Sequence, residues 1–421
     1  MQLQTEALHA GYEKDGQRTM AVPIYQTTAY EFRDVEHAAN LFALKELGNI
    51  YTRLNNPTTD VFEKRFATLE GGAAGLATAS GMAAIFYAIA NAAEAGDNIL
   101  CARQMYGGSL TQASYTLKRF GIEARYFDVQ NPIEIEALID DKTKVIFFES
   151  LTNPSIDVAD ISAITAIAKK HGVLTIVDNT VATPVLCRPF EYGADIVVHS
   201  ASKYTTGQGL AIGGIMVERN GLVDFIRSNA RYPQFNDSDE SYHGLVYVDV
   251  PLPLYTLRAR LSLLRDLGAV VSPFNSWLFI QGIETLSLRM REHSRNAQVV
   301  AEFLEAHPKV QKVNYPGLKS NSNYANAQKY FQDGMASGLL SFEVESLERA
   351  KQTVDATKLF SLVVNIGDSK SIITHPASTT HQQLSAEELV ACGVLPGLIR
   401  LSIGLESTID LINDLKQALD A

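Results

Sequence analysis

Short runs rich in β-branched and aromatic residues alternate with helical patterns through the first half of the chain. They are Asn98-Ile-Leu-Cys, Lys144-Val-Ile-Phe-Phe-Glu, Val173-Leu-Thr-Ile-Val-Asp, Asp195-Ile-Val-Val-His and Ile212-Gly-Gly-Ile-Met-Val. Near-continuous apolar strands are buried on both faces, which happens when helices cover each side of a parallel sheet. The stretch Ile161 to His171, closed by Gly172, supplies such a crossover helix. The chain therefore reads as an α/β protein with a mostly parallel central sheet. Polar or charged residues stand at the C-terminal ends of these runs, the edge at which open α/β sheets bind ligands.

Around that sheet the pattern changes. Residues 1–60 are rich in polar and turn residues and read as an extended arm, with Val22-Pro-Ile-Tyr-Gln-Thr-Thr and Asn55-Asn-Pro-Thr as its clearest parts. From Thr59 the spacing of Val61, Phe62, Phe66 and Leu69 predicts a helix that stops at Gly71-Gly72. Between Ser228 and Pro253, Tyr, Pro, Asp and His crowd into an irregular stretch that marks a functional loop or a domain border. A helix-rich stretch from Leu254 to Leu304 follows, then a second α+β region with Leu339-Leu-Ser-Phe-Glu-Val as a strand. The expected organisation is an N-terminal arm over 1–60, a large domain over 61–255 and a smaller C-terminal domain over 256–421.

With 421 residues, 46% of them hydrophobic, the chain can bury a full core. Its formal net charge of −11 and the lack of a long Lys/Arg run argue against nucleic acid or an anionic membrane as the main partner. Neither a signal-peptide pattern nor an apolar run near the ~20 residues of a membrane span is present, so a cytoplasmic enzyme or binding protein is expected. Cys101, Cys187 and Cys392 are few, distant and odd in number. They fit buried thiols better than disulfides or a structural metal site.

The strand ending at His199 runs into "HSASKYTTGQG", where one lysine, Lys203, stands among hydroxyls and glycines. Alone it would be a solvated cation. A lysine that forms a Schiff base must instead be partly desolvated and face a bound carbonyl compound. Pyridoxal 5′-phosphate (PLP) adds three demands: a phosphate cradle, an acid beside the ring nitrogen and a flat group against the ring. Each has a candidate. Thr78-Ala-Ser80-Gly81-Met82 precedes the helical run Ala83 to Ala95 and offers N–H groups at a helix N-terminus, though Ser80 also suits an ordinary N-cap. Asp178 ends an apolar strand, either as a turn residue or as the partner of a pyridinium nitrogen. Tyr106, followed by two glycines, can stack on a ring or simply pack. Ser200 and Ser202 flank the lysine and can complete the phosphate site. A dinucleotide fingerprint at Gly207-Gln-Gly209 is disfavoured, because a strand-like run follows it and not a helix.

Beyond these residues the chain resembles the Cys/Met-metabolism family of PLP enzymes, and within it the O-acetylhomoserine sulfhydrylases. The resemblance runs end to end: "LHAGYE" at Leu8, "VPIYQTTAYEF" at Val22, "YTRLNNPT" at Tyr51, "ATASGMAAI" at Ala77, "VDNT" at Val177, "HSASKY", and "LIRLSIGLE" ending at Glu406. It implies fold type I, like aspartate aminotransferase, with PLP on the large domain and a smaller α+β C-terminal domain. Lys203 would bind the cofactor covalently and act as base, Asp178 would face its nitrogen, and Tyr106 would stack on its ring and assist proton transfer. Ser80, Gly81, Met82, Ser200 and Ser202 would hold the phosphate. Tyr51 and Arg53 would reach the phosphate of a neighbouring subunit, so a homo-oligomer is implied, a dimer at least and commonly a tetramer. Arg400, with Asn153 of "LTNPS", would clamp the substrate carboxylate. The residues agree on the arginine, since a guanidinium in the apolar run Leu398-Ile-Arg-Leu-Ser-Ile needs a partner, either a carboxylate ligand or a structural ion pair.

Within the family, "DSDESYHGLVY" from Asp237 and "VVNIGDSKSIITHPASTTH" from Val363 resemble the sulfhydrylases in particular. The lyases and cystathionine synthases would carry an acidic residue near Lys370 and a shorter region around 230–260. The resemblance thus implies γ-replacement, turning O-acetylhomoserine and a sulfur donor into homocysteine and acetate for methionine biosynthesis. The alternative is a methionine or cystathionine γ-lyase releasing ammonia and a 2-oxo acid. Gln208, Thr152 and "DVPLPLY" at Asp249 depart from the usual pattern. They leave open whether the donor is sulfide, methanethiol or a thiocarboxylate on a carrier protein.

Overall fold

A computed structural model describes residues 1–382, 387, 389 and 392–421. Seven strands form the central sheet: β1 (Ala74–Thr78), β2 (Asn98–Ala102), β3 (Glu123–Phe127), β4 (Thr143–Glu149), β5 (Leu174–Asp178), β6 (Ile196–Ser200) and β7 (Gly214–Glu218). Their order is β1-β7-β6-β5-β4-β2-β3. From β6 to β3 all neighbours are parallel, whereas β7 runs antiparallel to both β1 and β6. The sheet is thus mixed with a parallel majority. The expected helix appears as Ile161–Lys170, with Asp160 capping it through the Ala163 N–H.

Register determines which side chains share an edge. Glu149 pairs with Asp178, Asp178 with Val198, Ser200 with Gly214, and Gly214 with Thr78. The C-terminal ends of β4, β5, β6 and β1 therefore meet the start of β7 along one rim. The helix Gly81–Ala90 starts just beyond β1, two residues earlier than its apolar pattern begins and well short of Ala95. β1 and β3 escape the apolar-run reading because Ala74-Gly-Leu-Ala-Thr is made of small residues and Glu123-Ala-Arg-Tyr-Phe is half polar.

Behind the sheet, the helix Pro57–Glu70 is capped by Asn56, which accepts from the Thr58 N–H at 3.0 Å, and ends at Gly71 with φ +77°. Phe62 and Phe66 are fully buried, Phe62 against Phe279 and Phe66 against the His199 ring. Each such side chain contributes about 2–3 kcal/mol by leaving water. Both belong to a buried cluster with Ala77 of β1 and with Ile215 and Val217 of β7, and Phe66 reaches β6, the strand that leads to Lys203. The arm is less extended than its composition suggests, since Leu3–His9 and Val35–Phe42 are helical; the Asp34 side chain caps the second through the His37 N–H.

A second sheet, β8 (Lys312–Asn314), β9 (Leu339–Glu343), β10 (Ser361–Leu362), β11 (Ile372–Thr374) and β12 (Leu398–Ser402), has the order β10-β11-β12-β9-β8. β12 is buried throughout and lies between β11 and β9, where Arg400 pairs with Thr374 and Ser341. The three cysteines are buried, and burial raises the Cys101 and Cys187 thiols. Among the described residues no helix is long and apolar enough to cross a membrane.

Candidate active site

At the rim, a cavity of about 260 Å³ is lined by Ser80, Gly81, Met82, Tyr106, Asn153, Asp178, Ser200, Ser202, Lys203 and Arg400. All but two of the residues expected from the sequence thus meet in one space. The two others, Tyr51 and Arg53, lie on the arm, with the Arg53 guanidinium 5.3 Å from the Tyr51 ring centroid. Tyr51 is 41% exposed and neither residue lines the cavity.

One end of the cavity suits an anion. Ser80 caps the helix Gly81–Ala90 by accepting from the Ala83 N–H, so its hydroxyl does serve as an N-cap. The N–H groups of Gly81 and Met82 precede the first intrahelical acceptor, and both residues line the cavity, an arrangement suited to an anion. Gly81 is required there, since a Cβ would come within 2.6 Å of the Ser200 Cβ. Ser202 bonds both to the N–H and to the carbonyl of Gly213.

The lysine turn is anchored from below by a residue the sequence reading does not single out. Arg289 donates to the carbonyls of Tyr204 (2.7 Å), Thr205 (3.3 Å) and Gly282 (2.6 Å). Burial, and then the neighbouring Arg400 cation, lower the Lys203 amine to about 8. Such an amine is a far better nucleophile at neutral pH than a solvated lysine.

Asp178 accepts from the Thr180 N–H at 2.9 Å, and burial raises its pKa above the ordinary carboxylate value. A cationic ring nitrogen would relieve that cost. Beside it stands Glu149, pushed well up by burial and by the Asp178 charge. Glu149 is not among the residues expected from the sequence, although it ends its strand just as Asp178 does. Its two oxygens accept from the N–H of Tyr106 (2.6 Å) and of Asn153 (2.9 Å), fastening two site loops to one carboxyl group. Gly108 lets the Tyr106 ring lie close, since a Cβ there would come within 2.5 Å of it. Glu149→Ala leaves both N–H groups without an acceptor and is expected to cost about 2–4 kcal/mol of stability, read as a fall in Tm.

At the other end, Arg400 is 3% exposed. It donates to the Asn153 side-chain oxygen (3.0 Å) and the Asn365 carbonyl (3.0 Å), while its Nε has no partner among the described residues. A buried guanidinium with an unused N–H is an open seat for a carboxylate. An anion cradle, an acid awaiting a cation and an amine of lowered basicity match the phosphate, ring nitrogen and aldehyde of PLP, so the residues fit that cofactor.

Comparison with known proteins agrees. The family model for the Cys/Met metabolism PLP-dependent enzymes matches residues 4–420. The chain is 48% identical to the O-acetyl-L-homoserine sulfhydrylase of Leptospira meyeri, over 99% of this chain and 96% of that one. It is 46% identical to the homocysteine/cysteine synthase of Kluyveromyces lactis, over 97% and 95%. A solved O-acetylhomoserine (thiol)-lyase structure from Campylobacter jejuni, which carries N′-pyridoxyl-lysine-5′-monophosphate, superposes with a TM-score of 0.99 at 53% identity over the whole of both chains. Site and similarity together lead to one conclusion: the chain belongs to the Cys/Met metabolism family of PLP-dependent enzymes.

Proposed function

We propose that the cavity catalyses γ-replacement: O-acetylhomoserine and sulfide are converted to homocysteine and acetate, a step of methionine biosynthesis. The observation that carries this reading is that buried Arg400, whose Nε has no partner among the described residues, lines one cavity with the amine of Lys203, in a chain so similar to sulfhydrylases. PLP, when bound, supplies an aldehyde for the substrate amine and a ring that takes up charge from Cα.

The protein does the rest. Arg400 and Asn153 hold the substrate carboxylate, which orients Cα and its chain in the cavity. Asp178 keeps the ring nitrogen protonated. Lys203, as a free amine, would move protons at Cα and then at Cβ, so that acetate leaves Cγ and sulfide adds there. Tyr106, which lines the cavity, would stack on the cofactor ring and assist these transfers. Gly81, Met82, Ser200 and Ser202 hold the phosphate, joined by Tyr51 and Arg53 of a neighbouring subunit in a cytoplasmic homotetramer.

Free sulfide is the donor in this proposal. Purified protein with PLP, O-acetylhomoserine and sulfide is expected to form homocysteine and acetate in equal amounts, read by product mass. Release of 2-oxobutyrate and ammonia without sulfide would instead establish a γ-lyase. Turnover only with a thiocarboxylate-bearing carrier protein would replace the donor.

A further inference from the structure

Between β10 and β11 the chain passes over the cavity, and there Asn365 touches both charged ends of the site. Its side-chain oxygen accepts from the Lys203 Nζ at 2.6 Å, and its backbone carbonyl accepts from Arg400 at 3.0 Å. The segment is firmly seated. Ser369 donates from both its N–H and its hydroxyl to the Gly207 carbonyl, at 2.8 and 2.9 Å. The Gly367 N–H donates to the Ser402 hydroxyl at 2.9 Å, and a Cβ at Gly367 would come within 2.7 Å of the Tyr204 nitrogen. The loop thus sits directly on the lysine turn and on β12.

We infer that Asn365 is the positioning residue that holds the Lys203 amine whenever that amine is not bonded to the cofactor. This deepens the proposed function and rests on Lys203 being its base. An amide oxygen suits the task because it is neutral. It accepts one N–H of the amine, so the nitrogen lone pair can turn toward the substrate α-proton. A carboxylate in the same place would keep the lysine protonated and remove the base. The other charged and titratable groups around the amine are Arg400 on β12, Asp178 on β5, Glu149 on β4 and Tyr106. Of these, Arg400 lowers the amine, while Asp178 and Glu149 stand side by side on adjacent strands.

Two variants test the assignment. In the full-length protein freed of cofactor, reductive methylation of Lys203 is followed by peptide mass against pH. With PLP restored, exchange of the α-proton of L-norvaline, which lacks a γ leaving group, is followed by NMR in deuterium oxide. Asn365→Asp, nearly isosteric, is expected to raise the labelling midpoint by about one pH unit or more, and to slow exchange at neutral pH with recovery as pH rises. Asn365→Ala is expected to slow exchange by about 10²-fold while the KM for O-acetylhomoserine changes less than about threefold. An unmoved midpoint in Asn365→Asp would overturn the inference, as would a large KM change with intact exchange in Asn365→Ala. Failure of the parent reading looks different: α-proton exchange would then survive in Lys203→Ala.

Discussion

Lys203→Ala is expected to lower turnover by about four orders of magnitude or more, because under the proposed function one substitution removes both the covalent anchor of the cofactor and the base that moves the substrate protons. The absorbance of lysine-bound PLP is lost with it. Borohydride reduction is expected to add the pyridoxyl mass to the Lys203 peptide of the parent protein and to no peptide of the variant. The pH dependence follows from the burial of the amine. With its basicity lowered to about 8, Lys203 is neutral in about a quarter of molecules at pH 7.5, against about one in a thousand for a solvated lysine. Only the neutral amine attacks an aldehyde. Uptake of PLP by cofactor-free protein should therefore accelerate as pH rises through 8 and level off above it. Full activity in Lys203→Ala, or an uptake rate still climbing steeply at pH 10, would contradict this account.

Arg400→Ala is expected to raise the KM for O-acetylhomoserine by about 10²- to 10³-fold, with a smaller fall in kcat. The substitution removes a charge-assisted partner from a site that water reaches poorly, and each such hydrogen bond contributes about 1.5–3 kcal/mol. Asn153 and Asn365 each lose a donor at the same time, which widens the carboxylate seat. Arg400→Lys should recover little, because an ammonium cannot reproduce the fork that reaches Asn153, Asn365 and a ligand together. Steady-state kinetics against O-acetylhomoserine checks both variants; a KM within threefold of the parent would place the carboxylate elsewhere.

Much of this site is legible before any coordinates. Lys203 and Asp178 follow apolar runs whose burial leaves a terminal amine or carboxylate conspicuous, and Arg400 is visible for the same reason. Glu149 carries the same signal at the end of its own run. In sequence it stays inconspicuous because other residues already meet the three demands of PLP. Asn365 and Arg289 carry no such signal. An asparagine in a polar loop and an arginine on a long helix are ordinary in sequence, and their roles arise from chain segments 162 and 85 residues away. β1 was invisible for a related reason: its small residues acquire strand geometry only by pairing with β7.

Sequence by itself determined the alternation of strand and helix, the residues placed at strand ends, and the resemblance that names the cofactor, because apolar periodicity and local turn chemistry are properties of neighbouring residues. Tertiary structure alone decided that β7 turns back against β6, that Glu149 pairs with Asp178, and that the loop bearing Asn365 lands between Lys203 and Arg400. Those outcomes depend on register and on the docking of one sheet against another. They are fixed by packing between segments that no local pattern connects.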